Sequence, residues 1–169
     1  MVSWLAVVGL VALERLAELV VARRNAAWSF RNGGVEHGAS HFPVMVVLHT
    51  GFLVAMVAEV WLLQRPFLPW LGWPCLAVAL GCQALRWWVI RTLGPRWNTR
   101  VIVIPGLAPV TTGPFRWLRH PNYLAVVTEG IALPLVHTAW ITALGFTVAN
   151  AMLLAVRIRI EDRALGRGT

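Results

Sequence analysis

The chain has 169 residues, 58% hydrophobic and only 13% charged, with a mean hydropathy of +0.67; an ordinary soluble domain is about 45–50% apolar and about 25% charged. Too few charges remain to coat a water-soluble surface, and ten tryptophans in so apolar a chain exclude a disordered one. The fifteen basic residues, all arginine, give a net charge of +8, but they flank long apolar stretches, which makes them an orientation signal rather than a nucleic-acid footprint.

Apolar runs of about 20 residues predict membrane-spanning helices. Five such runs occur, at about 2–21, 42–63, 67–90, 121–136 and 139–156. The first carries Glu14, Arg15 and Glu18 in its second half. The third holds both cysteines, Cys75 and Cys82, which helical geometry sets about 10 Å apart along the axis, too far for a disulfide. The fourth is short and contains Glu129 and Pro134, and only His137 and Thr138 separate it from the fifth, which forces a tight antiparallel hairpin. The expected fold class is therefore an all-α integral membrane protein, a single domain over residues 1–169 with about five transmembrane helices. Arginines cluster after the first span, between the third and fourth, and after the fifth, while the opposite side has essentially Arg65. That asymmetry places the N-terminus outside and the C-terminus in the cytoplasm, in a membrane expected to be the bacterial plasma membrane.

Between the third and fourth runs, Thr92 to His120 is rich in Gly and Pro and reads as an ordered, irregular cytoplasmic segment. Its apolar and aromatic residues (Trp97, Val101 to Ile104, Phe115, Trp117) predict that it folds back against the membrane surface. It ends in the densest chemical cluster of the chain, Thr111 to Tyr123. Pro121 suits a first helical turn and pushes His120 out of the helical region, so His120 sits at a helix mouth beside amide donors that lack internal partners. Such a mouth can grip an anionic or hydrogen-bonding ligand group; the same residues would also serve as a basic, aromatic anchor at the membrane interface. After the fifth run stands Arg157-Ile158-Arg159-Ile160-Glu161-Asp162. Arg157 and Glu161 share a helix face at i,i+4, which fits either an ion pair beside a positive-inside flank or a functional pair.

Taken together, the run Gly113-Pro114-Phe115 through Arg119-His120-Pro121-Asn122-Tyr123, a hydrophobic hairpin, and then Arg157-x-x-x-Glu161-Asp162 resembles the isoprenylcysteine carboxyl methyltransferases over about the last 80 residues. The resemblance implies S-adenosylmethionine as methyl donor, bound in a cytoplasmic region of about 92–123 plus 157–163, and a lipophilic acceptor arriving from the bilayer. It assigns His120, Pro121, Asn122, Tyr123 and Glu161 to the cofactor site, with Phe115 in the place of the family's usual tyrosine. Leu107, Ala108, Pro109 and Val110 fall on cofactor-contacting positions; the first three do not match the family, so their contacts would be through backbone. Arg157 would address the acceptor as a catalytic and substrate-binding residue. Ala125 stands where the family often has glycine. The short chain is most similar to the small bacterial members, which implies a long-chain phenolic or pyrone lipid, or a prenylcysteine-type carboxylate, as acceptor.

Ionisable residues inside a bilayer are functional candidates by default. Glu14 and Glu18 share a face and fit structural pairing with arginines. Glu129, well inside the fourth run, is either a catalytic base for a phenolic acceptor or a partner for Arg86 or Arg157. His41 and His49 are eight residues apart, about two turns, with no third ligand at convincing spacing, so no metal is expected. The rival functions are phospholipid N-methylation, reduction of isoprenoid or sterol-like double bonds, and a non-catalytic helical membrane protein.

Overall fold

The computed structural model describes residues 2–166. Five α-helices occupy the five apolar runs: α1 (Val2–Arg31), α2 (His41–Leu62), α3 (Pro69–Leu93), α4 (Pro121–Leu135) and α5 (Trp140–Ala164). Three stretches, His41–Leu62, Pro69–Arg96 and Trp140–Ala164, are long and apolar enough to cross a membrane. The protein is an all-α integral membrane protein, and large apolar side chains such as Leu10, Leu13, Val47, Leu80 and Leu144 are exposed on the outer faces of its helices. In lipid this is the expected polarity, because the backbone is satisfied within each helix and apolar side chains face hydrocarbon.

Helix α4 packs mainly on α3 and α5, and α5 also packs on α2. Trp4, Phe52, Met56, Leu133 and Phe146 form the centre of the apolar core. Glu14, Arg15 and Glu18 of α1 turn inward. Arg15 donates to Glu18 at 2.9 Å and to Gln83 at 2.6 Å, and Trp87 donates to Glu14 at 2.6 Å. Arg86 joins this network from α3, donating to Glu129 at 2.5 Å and lying 3.4 Å from Glu18. Each of these charges thereby has an opposite partner, the condition for holding ionised groups in a low-dielectric interior.

The α4–α5 connection is held by a carboxylate from a third helix. Glu59, near the end of α2, accepts from the backbone N–H groups of Ile141 and Thr142 at 3.2 and 2.7 Å, and from the Thr142 hydroxyl at 2.7 Å. It thus caps the first turn of α5, whose amides have no partner within the helix.

Two departures from the sequence expectation shape the face that carries the 92–120 segment. Helix α1 runs ten residues past the predicted span end at 21, to Arg31. The apolar run stops at Arg23, but nothing there stops a helix. Its end comes at Gly33, with φ +79°, where Gly34 N–H returns to the Ser29 carbonyl at 2.8 Å. The extension carries Asn25, whose amide donates to the Gly94 and Trp97 carbonyls and so holds the start of the 92–120 segment. That segment is also less irregular than expected. Val101–Val103 forms a strand, β2, antiparallel to β1 (Val35–His37), with Glu36 opposite Ile102. The β-branched residues at 101–104 favour this extended pairing.

Candidate active site

Local devices set the position of the 113–123 cluster. Gly113 has φ +58°, and a Cβ there would lie 2.6 Å from the Thr92 hydroxyl, so glycine lets the chain turn tightly against α3. A 3-10 turn, Gly113–Arg116, follows. His120 takes the non-helical conformation φ −130°, ψ 64° ahead of Pro121, and its carbonyl accepts the Tyr123 and Leu124 amides at 3.1 and 3.2 Å. This starts α4 and carries the Tyr123 side chain inward to meet α5.

Arg157 and Glu161, one turn apart on α5, meet through the Tyr123 hydroxyl. It accepts from Arg157 Nε at 2.9 Å and donates to Glu161. Arg157 is buried, at 6% exposure, and its two other nitrogens donate to the Thr99 carbonyl at 2.5 Å and to the Met45 sulfur at 2.9 Å. His120 stacks on the Tyr123 ring, with centroids 5.3 Å apart and planes at 20°. Its Nδ1 lies 3.5 Å from Glu161 and its Nε2 3.3 Å from Asp162. The Glu161 carboxylate, with Asp162 adding to it, holds the His120 pKa above the ordinary histidine value despite partial burial. The imidazolium form is thus favoured at the mouth of the site.

These residues divide two cavities. The first lies under the 92–120 segment. It is lined by Leu107, Ala108, Pro109, Val110, Phe115, His120, Pro121, Asn122, Tyr123, Arg157 and Glu161, which brings together every residue that the resemblance assigned to the cofactor. Ser29, Val89, Leu93 and Trp97 complete its walls. The 107–110 stretch is set by a turn at Gly106, φ +81°, and by Arg96 donating to the Ala108 carbonyl at 2.8 Å. The second cavity lies inside the helix bundle, between apolar side chains including Val11, Leu53, Phe52, Phe146 and Leu154. Trp97, Asn98, Asn122, Tyr123 and Arg157 line both cavities, so the two share a wall. Glu129 stands in the second cavity only, with its oxygens held by Arg86 at 2.5 Å and Gln83 at 3.0 Å.

Sequence reasoning did not single out Ser29, Asn98 or Asn150. None belongs to a motif, and each reaches its cavity only through tertiary packing. Among the described residues, buried Asn122 Oδ1 and Asn98 Nδ2 have no hydrogen-bond partner, and both line the shared wall. Unpaired buried polar atoms are costly, and their place here marks a site that offers one acceptor and one donor to a ligand.

A helical membrane architecture thus holds two cavities that meet at an Arg–Tyr–Glu bridge. The isoprenylcysteine carboxyl methyltransferase family model matches residues 75–167, and the chain belongs to that family. It is also 40% identical over 163 residues to the uncharacterized protein YpbQ of Bacillus subtilis (strain 168), covering 96% of this chain and 95% of that one. An uncharacterized protein of Haemophilus influenzae (strain ATCC 51907 / DSM 11121 / KW20 / Rd) is 27% identical over 154 residues, covering 89% and 88%. The family is one of membrane methyltransferases whose members use S-adenosylmethionine as methyl donor.

Proposed function

We propose that the protein transfers a methyl group from S-adenosylmethionine to an oxygen of a lipophilic acceptor at the cytoplasmic face of the bacterial plasma membrane, in a five-span arrangement with the N-terminus outside. The observation that carries this reading is the wall of Asn122, Tyr123 and Arg157 common to the two cavities. Methyl transfer is an in-line displacement, and much of its acceleration comes from holding donor and acceptor end to end. Two adjoining cavities with a common wall supply that alignment.

The residues of the cytoplasmic cavity fit the methyl donor. Glu161 offers a carboxylate, and Tyr123 and Phe115 offer aromatic faces to a cationic centre. The unpartnered Asn122 oxygen and Asn98 nitrogen offer hydrogen bonds, and Val89, Leu93 and Trp97 offer apolar contact to a planar base. When bound, the donor's sulfonium supplies an electrophilic methyl group. On the acceptor side, Arg157 Nη1 rests against the Met45 sulfur, a weak hydrogen-bond acceptor that an anionic oxygen would displace. Arg157 thereby orients the acceptor oxygen, while its bond to the Thr99 carbonyl fixes the guanidinium. Glu129, with both oxygens held by α3, anchors the helix pair rather than acting on the acceptor.

The test is calorimetry on the detergent-purified protein with S-adenosylhomocysteine and, separately, a reduced nicotinamide. Binding of the homocysteine compound, weakened in Glu161→Gln, supports the methyltransferase; binding of the nicotinamide instead would move the protein to the reductases. Arg157→Gln is expected to leave donor affinity in place and to reduce acceptor turnover.

A further inference from the structure

The second cavity contains a nitrogen base that the donor site does not use. His49, on α2, lines this cavity. Its Nδ1 lies 2.9 Å from the Met45 carbonyl oxygen. A carbonyl only accepts, so Nδ1 carries the proton of the neutral ring and Nε2 keeps its lone pair available to the cavity. The ring is held edge-on against Phe146, with centroids 5.3 Å apart and planes at 86°. Met45 ties this histidine to the acceptor end of the site, since its carbonyl meets His49 and its sulfur meets Arg157 Nη1. Met45, which Arg157 of α5 touches, and His49 are one helical turn apart on α2.

The other titratable and charged groups facing this cavity are committed elsewhere. Glu18 of α1 is held by Arg15 and Arg86, Glu129 of α4 by Arg86 and Gln83, and Tyr123 lies between Arg157 of α5 and Glu161. A carboxylate acceptor needs no base, whereas a phenol or enol does. We infer that His49 is the base for a hydroxyl acceptor, a phenolic or enolic ring with a long apolar chain seated between Phe52, Phe146 and Leu154. This inference rests on the methyl-transfer reading and names its acceptor class. The acceptor O–H bond breaks and its proton moves to His49 Nε2, while the oxygen lone pair forms the new bond to the methyl carbon. The carbon–sulfur bond breaks with its electron pair going to sulfur, leaving a neutral thioether. The imidazolium returns its proton to solvent as the ether product departs.

The test uses the full chain in detergent, S-adenosylhomocysteine, and a 4-nitrophenol bearing a dodecyl chain, whose phenolate is read by its visible absorbance. In the wild type the bound nitrophenol ionises at lower pH than in detergent alone. His49→Gln reduces that shift to the part that Arg157 supplies and leaves homocysteine-compound affinity unchanged, which also verifies the fold. Turnover of phenolic acceptors with the methyl donor falls about 100-fold in the variant, and imidazole restores part of it in His49→Ala. Identical nitrophenol titrations in wild type and variant, or no nitrophenol binding by the wild type, overturn the inference. Failure of the wild type to bind S-adenosylhomocysteine is a separate result that overturns the methyl-transfer reading itself.

Discussion

Tyr123→Phe removes one oxygen and leaves the ring, yet that oxygen is the link between the two halves of the site. It accepts from Arg157 Nε at 2.9 Å and donates to Glu161, and Tyr123 is only 9% exposed, so water does not readily replace it. Hydrogen bonds to charged partners contribute about 1.5–3 kcal/mol each. The low end applies on both sides, because Glu161 keeps His120 at 3.5 Å and Arg157 keeps the Thr99 carbonyl at 2.5 Å. A loss of about 1.5 kcal/mol on each side corresponds to roughly tenfold. The substitution is therefore expected to weaken S-adenosylhomocysteine binding about tenfold through Glu161, and to lower acceptor turnover at saturating donor about tenfold through Arg157. Calorimetry gives the first number and a labelled-methyl assay the second. Glu161→Gln should move mainly the first and Arg157→Gln mainly the second. A Tyr123→Phe protein in which only one of the two quantities changes refutes the bridge as the common support of both sites.

Stability should fall as pH rises through the elevated His120 pKa. The folded state binds that proton more tightly than the unfolded chain, so the stabilisation is complete below the ordinary value of 6.5 and lost on the alkaline side; melting temperatures of wild type and His120→Gln between acidic and alkaline pH should converge as pH increases, and parallel curves would contradict this. Glu59→Ala strips the cap from α5 and leaves Arg65 without the carboxylate it meets at 2.8 Å, a loss of about 3 kcal/mol that thermal melts should register as a drop of roughly 10 °C. Gly130→Ala would place a Cβ 2.4 Å from the Phe146 ring. That ring is backed by Phe52 at 4.1 Å between centroids and by His49, so overpacking should cost about 1–3 kcal/mol. Gly51→Ala, with nothing within 4 Å, is the control expected to melt like the wild type.

What the sequence determined by itself is whatever depends on near neighbours along the chain. Hydropathy placed the helices because a lipid-facing helix needs an unbroken apolar surface, and His137-Thr138 allowed only a tight turn. The His120-Pro121 step set the start of α4, and the four-residue spacing put Arg157 and Glu161 on one face. The residues carried by the resemblance from 107 to 123 and at 161 converge on one cavity because most of them sit on a single short, Gly- and Pro-shaped stretch. Only the tertiary structure decided what crosses between elements. The sequence named Arg86 only as one possible partner of Glu129, and the contacts of Arg86 and Gln83 of α3 with its two oxygens appear only in the packed helices. Glu59 as the cap of α5, the pairing of β1 with β2, and the wall shared by the two cavities likewise join residues far apart in sequence. Such contacts leave no local periodicity, because a side chain reveals its partner only once packing has brought the partner's helix alongside.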